Sequence, residues 1–252
     1  SKVETIPAIV DAKPDYMGLV FAPSKRQVTV DQAKTLVEEL HKQYGNRYSR
    51  EEVQCSNDVV QDGAVIGAVQ EGTATGDAHE GTLTSTENIS PTLIHQEFIK
   101  TVGIFVNETL ENLVTIATEV NLDVVQLHGD EDEAFIQSLK ERTNVEVWKA
   151  VQIRSAADAE AWIDSSADML LFDAYHKDER GGTGEVFDWS CLDEFERPFM
   201  LAGGIDSTNV ARAIRTVRPY GIDISSGIET DGVKDNEKIT AFTKLVRTIA
   251  MP

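Results

Sequence analysis

A chain of 252 residues with 41% apolar side chains is long enough to fill one large α/β core. Its 43 acidic residues against 23 basic ones leave a net charge of −20, which repels phosphate backbones and anionic lipid and argues against nucleic-acid or membrane partners. Cys55 and Cys191 stand far apart in unlike contexts, no apolar run approaches the ~18 residues of a membrane span, and SKVETIPAIV lacks the apolar core of a signal peptide, so a cytoplasmic protein is expected.

In chain order, the apolar spacing in VETIPAIVDA predicts a short helix that KPD ends, and YMGLVF reads as a strand. After the loop APSKRQ, Thr29 stands three residues before Gln32 as a capping box. Ala33, Leu36, Val37 and Leu40 then supply the apolar stripe of a helix. From 51 to 97 the chain holds nine acidic residues, five glycines and no lysine or arginine. That composition predicts a flexible acidic insertion, within which VVQDGAVIGAVQ has the pattern of a hairpin. Strands TVGIFV, DVVQL, VEVWKAV, DMLLF, PFMLA and GIDIS follow, alternating with helical segments at 108–119, 131–141, 155–164, 206–217 and 234–249 and a weaker one near 188–195.

The tally is seven strands and eight helices. A (β/α)8 TIM barrel has eight of each and begins on a strand, so the expected fold is one α/β domain over 1–252, a TIM barrel truncated at its N-terminus, with 51–97 inserted in it. Such a barrel would expose two strand edges and is expected to be unstable or prone to aggregate.

In a parallel barrel the loops after the strands build the site. Those loops hold Arg26 after the first strand, then His128 with Gly129 and Asp130, then Asp173. Gly182 and Gly184 follow in GGTG, then Gly203 with Gly204, and finally Ser225, Ser226 and Gly227. Turns without side chains let backbone N–H groups approach an anion, so the glycines point to a phosphate site. Singly, each candidate has a plainer use: His128 could close a strand, Asp173 could cap a turn, Arg26 could pair with a surface carboxylate, and glycine also serves tight turns. The cysteines sit at no predicted strand end and read as inert, and the three tryptophans read as packing residues.

VVQLHGDE, LLFDA followed by GGTGEVFDW, FMLAGGI and DISSGIETDGVKD, with GLVFAPSKRQV before them, closely resemble the ordered motifs of the phosphoribosylanthranilate isomerase family of tryptophan biosynthesis. The resemblance implies a cofactor-free Amadori rearrangement of the small-molecule substrate N-(5-phosphoribosyl)anthranilate to 1-(2-carboxyphenylamino)-1-deoxyribulose 5-phosphate by a monomer or homodimer. It makes the aspartate matching Asp173 the general acid that opens the ribose ring, and it makes Arg26 and His128 substrate-binding residues, Arg26 holding the anthranilate carboxylate. Gly182, Gly184, Gly203, Gly204, Ser225, Ser226 and Gly227 would cradle the phosphate. The family's general base is a cysteine in a first-strand motif like K-x-C-G, which does not occur here, and neither Cys55 nor Cys191 can replace it by position. A sugar-phosphate binder without turnover and a neighbouring phosphate-binding barrel such as indole-glycerol-phosphate synthase are the competing readings.

Overall fold

The structure is a computed structural model that describes residues 2–47, 98–174 and 188–250. The stretch 51–97 with Cys55, and the loop carrying Gly182 and Gly184, lie outside these residues. Two compact units divide the chain, Ser1–Gln43 with Phe98–Pro252, and Tyr44–Glu97.

A 3-10 turn at Val3–Thr5 runs into α1 (Ile6–Ala12), followed by β1 (Tyr16–Val20) and α2 (Val30–Arg47). Next come β2 (Lys100–Phe105), α3 (Leu110–Val120), β3 (Val124–Leu127), α4 (Glu133–Arg142), β4 (Glu146–Ile153) and α5 (Ala156–Glu160). Then β5 (Met169–Ala174), a 3-10 helix at Trp189–Leu192, β6 (Phe199–Leu201), α6 (Val210–Val217) and β7 (Gly221–Ile222). A 3-10 turn at Ser226–Ile228, a small hairpin of β8 (Glu229–Thr230) and β9 (Val233–Lys234), and α7 (Asn236–Ala250) complete the order.

The seven longer-range strands form one sheet in sequence order, β1 to β7, every pair parallel. That is the α/β arrangement expected of apolar runs alternating with amphipathic helices, because parallel strands must be covered on both faces. β3 is buried at all four positions. Alternation along the strands sends Val102, Val124, Trp148, Ala150, Leu171, Met200 and Ala202 into one inner cluster, with Tyr16, Ile104 and Met169 packed on it. The opposite face carries Phe105, Val125, Val147, Leu170 and Phe172 toward the helices.

β1 and β7 are the two ends of the sheet, and the helical layer joins across them. α1 packs against α7, and an Arg247 guanidinium nitrogen donates to the Lys13 carbonyl. α1 buries Ile6 completely and Ile9 and Val10 nearly so, each worth about 1.5–3 kcal/mol as apolar burial.

Local chemistry explains the element ends, including those that differ from the sequence expectation. Thr29 and Gln32 form the expected box, Thr29 N donating to Gln32 Oε1 at 2.9 Å and Gln32 N to Thr29 Oγ1 at 3.2 Å. The helix expected from 206 begins at Val210, because the Asp206 carboxylate takes the N–H groups of Thr208 (2.7 Å) and Asn209 (3.2 Å) and holds a turn there. The segment expected to be helical over 155–164 is α-helical only to Glu160, beyond which Trp162 and Ile163 bond three residues back. The strand expected over 221–225 stops at Ile222, and Ser225, at φ −122° and ψ −80°, leads into the 3-10 turn.

Candidate functional site

The inner face changes character toward the carboxyl ends of the strands. Continuing the alternation past the apolar cluster brings Gln126 and His128 inward from β3, Asp173 from β5 and Asp223 from the end of β7. Polar side chains therefore stand on a dry floor, and the loops beyond them form the mouth.

Asp173 is 4% exposed. Its Oδ2 lies 3.3 Å from His128 Nε2, an ion-pair separation whose direction does not meet hydrogen-bond alignment. Its Oδ1 is buried and has no hydrogen-bond partner among the described residues. A buried carboxyl oxygen without a donor is unfavourable unless it carries a proton or meets a ligand, which makes this oxygen a candidate reactive position. Gly203 walls it on one side: a Cβ there would come within 2.6 Å of Oδ1 and 2.5 Å of the Ala174 nitrogen, and its φ of +81° also favours glycine. Gly204 follows at φ +63°, its carbonyl accepting from Asn209 Nδ2 at 2.7 Å.

The last two strand loops meet beside this carboxyl. A Cβ at Gly227 would collide with the Ile205 carbonyl, so the Ser226–Gly227 turn is stacked on the backbone that follows Gly203 and Gly204. Two backbone turns in contact, free of side chains, are a concavity suited to an anion. Lys234 stands beside them, its Nζ donating to the Ser225 carbonyl at 2.7 Å and pairing with Glu229 at 3.1 Å. Burial lowers its affinity for a proton more than Glu229 restores it.

Arg26 reaches this hairpin from the other end of the sheet. Its Nε and one terminal nitrogen make a fork on Glu229 at 2.8 and 3.2 Å. Glu229 is pushed up by burial, yet the bonds from Arg26 and Lys234 outweigh that and hold it below the ordinary glutamate range. The fork uses one edge of the guanidinium, and among the described residues the other edge makes no hydrogen bond. Asp223, just past β7, is pushed upward by burial first and by Asp173 second, with His128, Lys234 and Arg26 opposing.

The sequence candidates therefore separate as follows. His128, Asp173, Gly203, Gly204, Ser225, Ser226 and Gly227 come together at one end of the sheet, with Arg26 joined to the same group through Glu229. Cys191 lies in the 3-10 helix packed against α6, its thiol pushed up by burial and then by Asp188, which suits an inert residue. Gln126, Asp223, Glu229 and Lys234 were missed. The first two follow from alternation, standing two residues before His128 and Ser225, whereas Glu229 finds Arg26 across 203 residues of sequence. Among the described residues, no group of three His, Cys, Asp or Glu side chains could hold a metal ion, and no helix is long and apolar enough to cross a membrane.

The family profile described as N-(5′-phosphoribosyl)anthranilate (PRA) isomerase matches residues 53–245. The chain belongs to the phosphoribosylanthranilate isomerase family. A relative named N-(5′-phosphoribosyl)anthranilate isomerase from Thermoanaerobacter sp. (strain X514) is 37% identical over 241 residues, covering 95% of this chain and 90% of the relative. One from Clostridium acetobutylicum is 34% identical over 248 residues, covering 97% and 93%. The crystal structure of phosphoribosylanthranilate isomerase from Thermotoga maritima superposes with a TM-score of 0.69 at 26% identity over 98% of this chain and 95% of that one. A phosphoribosylanthranilate isomerase in complex with reduced 1-(o-carboxyphenylamino)-1-deoxyribulose 5-phosphate superposes with a TM-score of 0.65 at 25% identity, covering 98% and 94%. The fold is thus the α/β barrel type of this family, and the isomerase reading prevails over the neighbouring barrels.

Proposed function

We propose that this family member isomerises N-(5′-phosphoribosyl)anthranilate to 1-(2-carboxyphenylamino)-1-deoxyribulose 5-phosphate with Asp173 as general acid, in the cytoplasm and within one barrel domain into which 51–97 is inserted. The observation that carries the assignment is the buried Oδ1 of Asp173, unpartnered among the described residues and set at the mouth beside Gly203.

A proton passes from Asp173 to the ribose ring oxygen, the bond from that oxygen to C1′ breaks, and the anthranilate nitrogen lone pair forms the C1′=N iminium. Loss of the C2′ proton to a base, a role that the family resemblance gives to a first-strand cysteine absent from this sequence, gives the enol-amine, and protonation at C1′ with loss of the O2′ proton gives the ketone. One proton enters and one leaves in each half, so no oxidant and no cofactor is consumed. Arg26 takes the anthranilate carboxylate on its free edge, Glu229 holding the other edge in place. His128 lines the sugar site beside Asp173. The turns at Gly203–Gly204 and Ser225–Gly227, together with the loop holding Gly182 and Gly184, take the phosphate.

The test is Asp173→Asn. Turnover, followed by the loss of anthranilate fluorescence, should fall about 10²–10⁴-fold while the reduced product analogue still binds. Near-normal turnover removes Asp173 from the acid role.

A further inference from the structure

Gln126 is 3% exposed, in the middle of β3, where its ladder neighbours are Ile104 and Trp148. A carboxamide placed on such an apolar row is unfavourable unless something bonds it, and its Nε2 lies 2.9 Å from His128 Nδ1. The two residues are two apart on one strand and point to the same face. As the carboxamide stands, its nitrogen faces the ring and can only donate, so Nδ1 accepts, and a neutral imidazole that accepts at Nδ1 carries its proton on Nε2. Nε2 is the ring atom that stands 3.3 Å from Asp173 Oδ2.

We propose that Gln126 is a positioning residue that fixes His128 as the neutral Nε2–H tautomer, so that the ring turns a protonated nitrogen rather than a lone pair toward Asp173 Oδ2, 3.3 Å away and outside hydrogen-bond alignment before substrate binds, and leaves Oδ1 as the oxygen bearing the transferable proton. With the other tautomer, an Nε2 lone pair would face the carboxyl and draw its proton to Oδ2, away from the oxygen beside Gly203. The inference rests on the reading of Asp173 as the acid and adds which oxygen acts and what selects it. Among the described residues, the groups facing Asp173 are His128 from β3, the neutral Gln152 paired with it on β4, Asp223 from the end of β7 and the Gly203 backbone, with Arg26 and Lys234 acting on Asp223.

The tautomer is read directly in the full protein by two-bond proton–nitrogen correlation of ¹⁵N-labelled histidine, His128 being assigned by the signals that His128→Asn removes. At neutral pH the expected pattern is a protonated Nε2 and a bare Nδ1. An Nδ1–H ring or an imidazolium overturns the proposal whether or not the protein turns over, whereas the expected tautomer in a protein that fails to isomerise removes only the function reading. Gln126→Glu supplies a second readout. A carboxylate at 126 pulls a proton onto Nδ1, and the resulting imidazolium favours the ionised form of Asp173. The alkaline limb of kcat should then move to lower pH by about one unit, kcat should fall about tenfold, and KM should stay within about twofold. An unmoved limb in a variant that melts as cooperatively as the parent overturns the proposal.

Discussion

Lys149→Met tests the support beneath the site. Lys149 and Glu131 are 2% and 6% exposed, on the helix side of the sheet below the loop that carries His128. Lys149 Nζ donates to the Gly129 carbonyl at 2.8 Å and to Glu131 Oε2 at 3.1 Å, and it sits 5.5 Å from the centre of the Trp162 ring. Glu131 in turn accepts from the Asn107 and Gly129 backbone nitrogens at 2.6 and 2.8 Å. Removing one partner of a buried pair costs about 3–5 kcal/mol because a bare charge is left behind. Here Glu131 keeps two backbone donors, which places the loss near the lower end. Methionine keeps the apolar stem against Trp162, so the change reports the charge rather than a cavity. At about 3 kcal/mol the urea midpoint should fall by about 1–1.5 M, taking a slope of about 2–3 kcal/mol per M, and the melting temperature by about 6–12 °C. Adding Glu131→Gln should recover part of the loss, with a coupling of at least about 1 kcal/mol. By contrast, the half-exposed pair Lys34–Glu119, 2.7 Å apart, should contribute little and respond to salt. A Lys149→Met loss below about 1 kcal/mol would refute the claim that this pair is desolvated and anchors the loop.

Gly203→Ala forces a methyl against Asp173 Oδ1 at a left-handed φ; stability should fall by about 1–3 kcal/mol with a parallel loss of kcat, and unchanged melting and turnover would show that the close approach is not real. Glu229 is held below its ordinary value of 4.5, so its pairing with Arg26 and Lys234 stabilises fully above that value and fades as pH falls through the folded-state value. Glu229→Gln should accordingly destabilise at neutral pH and raise KM, with the stability gap closing under acid; a gap independent of pH contradicts the pairing. Asp223 is displaced upward from 3.8, so the parent loses stability as pH rises above that point. Denaturation should show Asp223→Asn gaining on the parent as pH rises above about 4, and a pH-independent difference would contradict the upward displacement of its carboxyl.

The seven strands were legible because a parallel strand covered on both faces reads as an unbroken apolar run, as VVQL and MLLF do. The Thr29–Gln32 box was legible because both its bonds are local. The ends of shorter elements were not, since Asp206 redirects its helix start by accepting N–H groups that the apolar spacing does not register. Lysine inside VEVWKAV carried a usable signal: a charge on an outward position of a doubly covered strand requires a buried partner, although nothing local names Glu131. Arg26 illustrates the harder case. Its residue type and position are visible, but whether the guanidinium is free or already held depends on Glu229, at the opposite end of the sheet.

That link bears on how so acidic a chain can take an anionic substrate. A net charge of −20 spread over the surface opposes a ligand carrying a carboxylate and a phosphate, but exposed charges are screened over about 8–10 Å. Inside the mouth the balance is local. Asp173 and Asp223 share the inner face with His128, while Arg26 and Lys234 converge on the single carboxylate of Glu229. At the hairpin two cations share one anion beside the two stacked glycine turns, where an arriving anion does not have to break the Arg26 fork to find a partner. Glu229 therefore serves best by staying bound. It partly neutralises two cations that would repel each other in the empty site, and it fixes the direction in which the remaining edge of Arg26 faces.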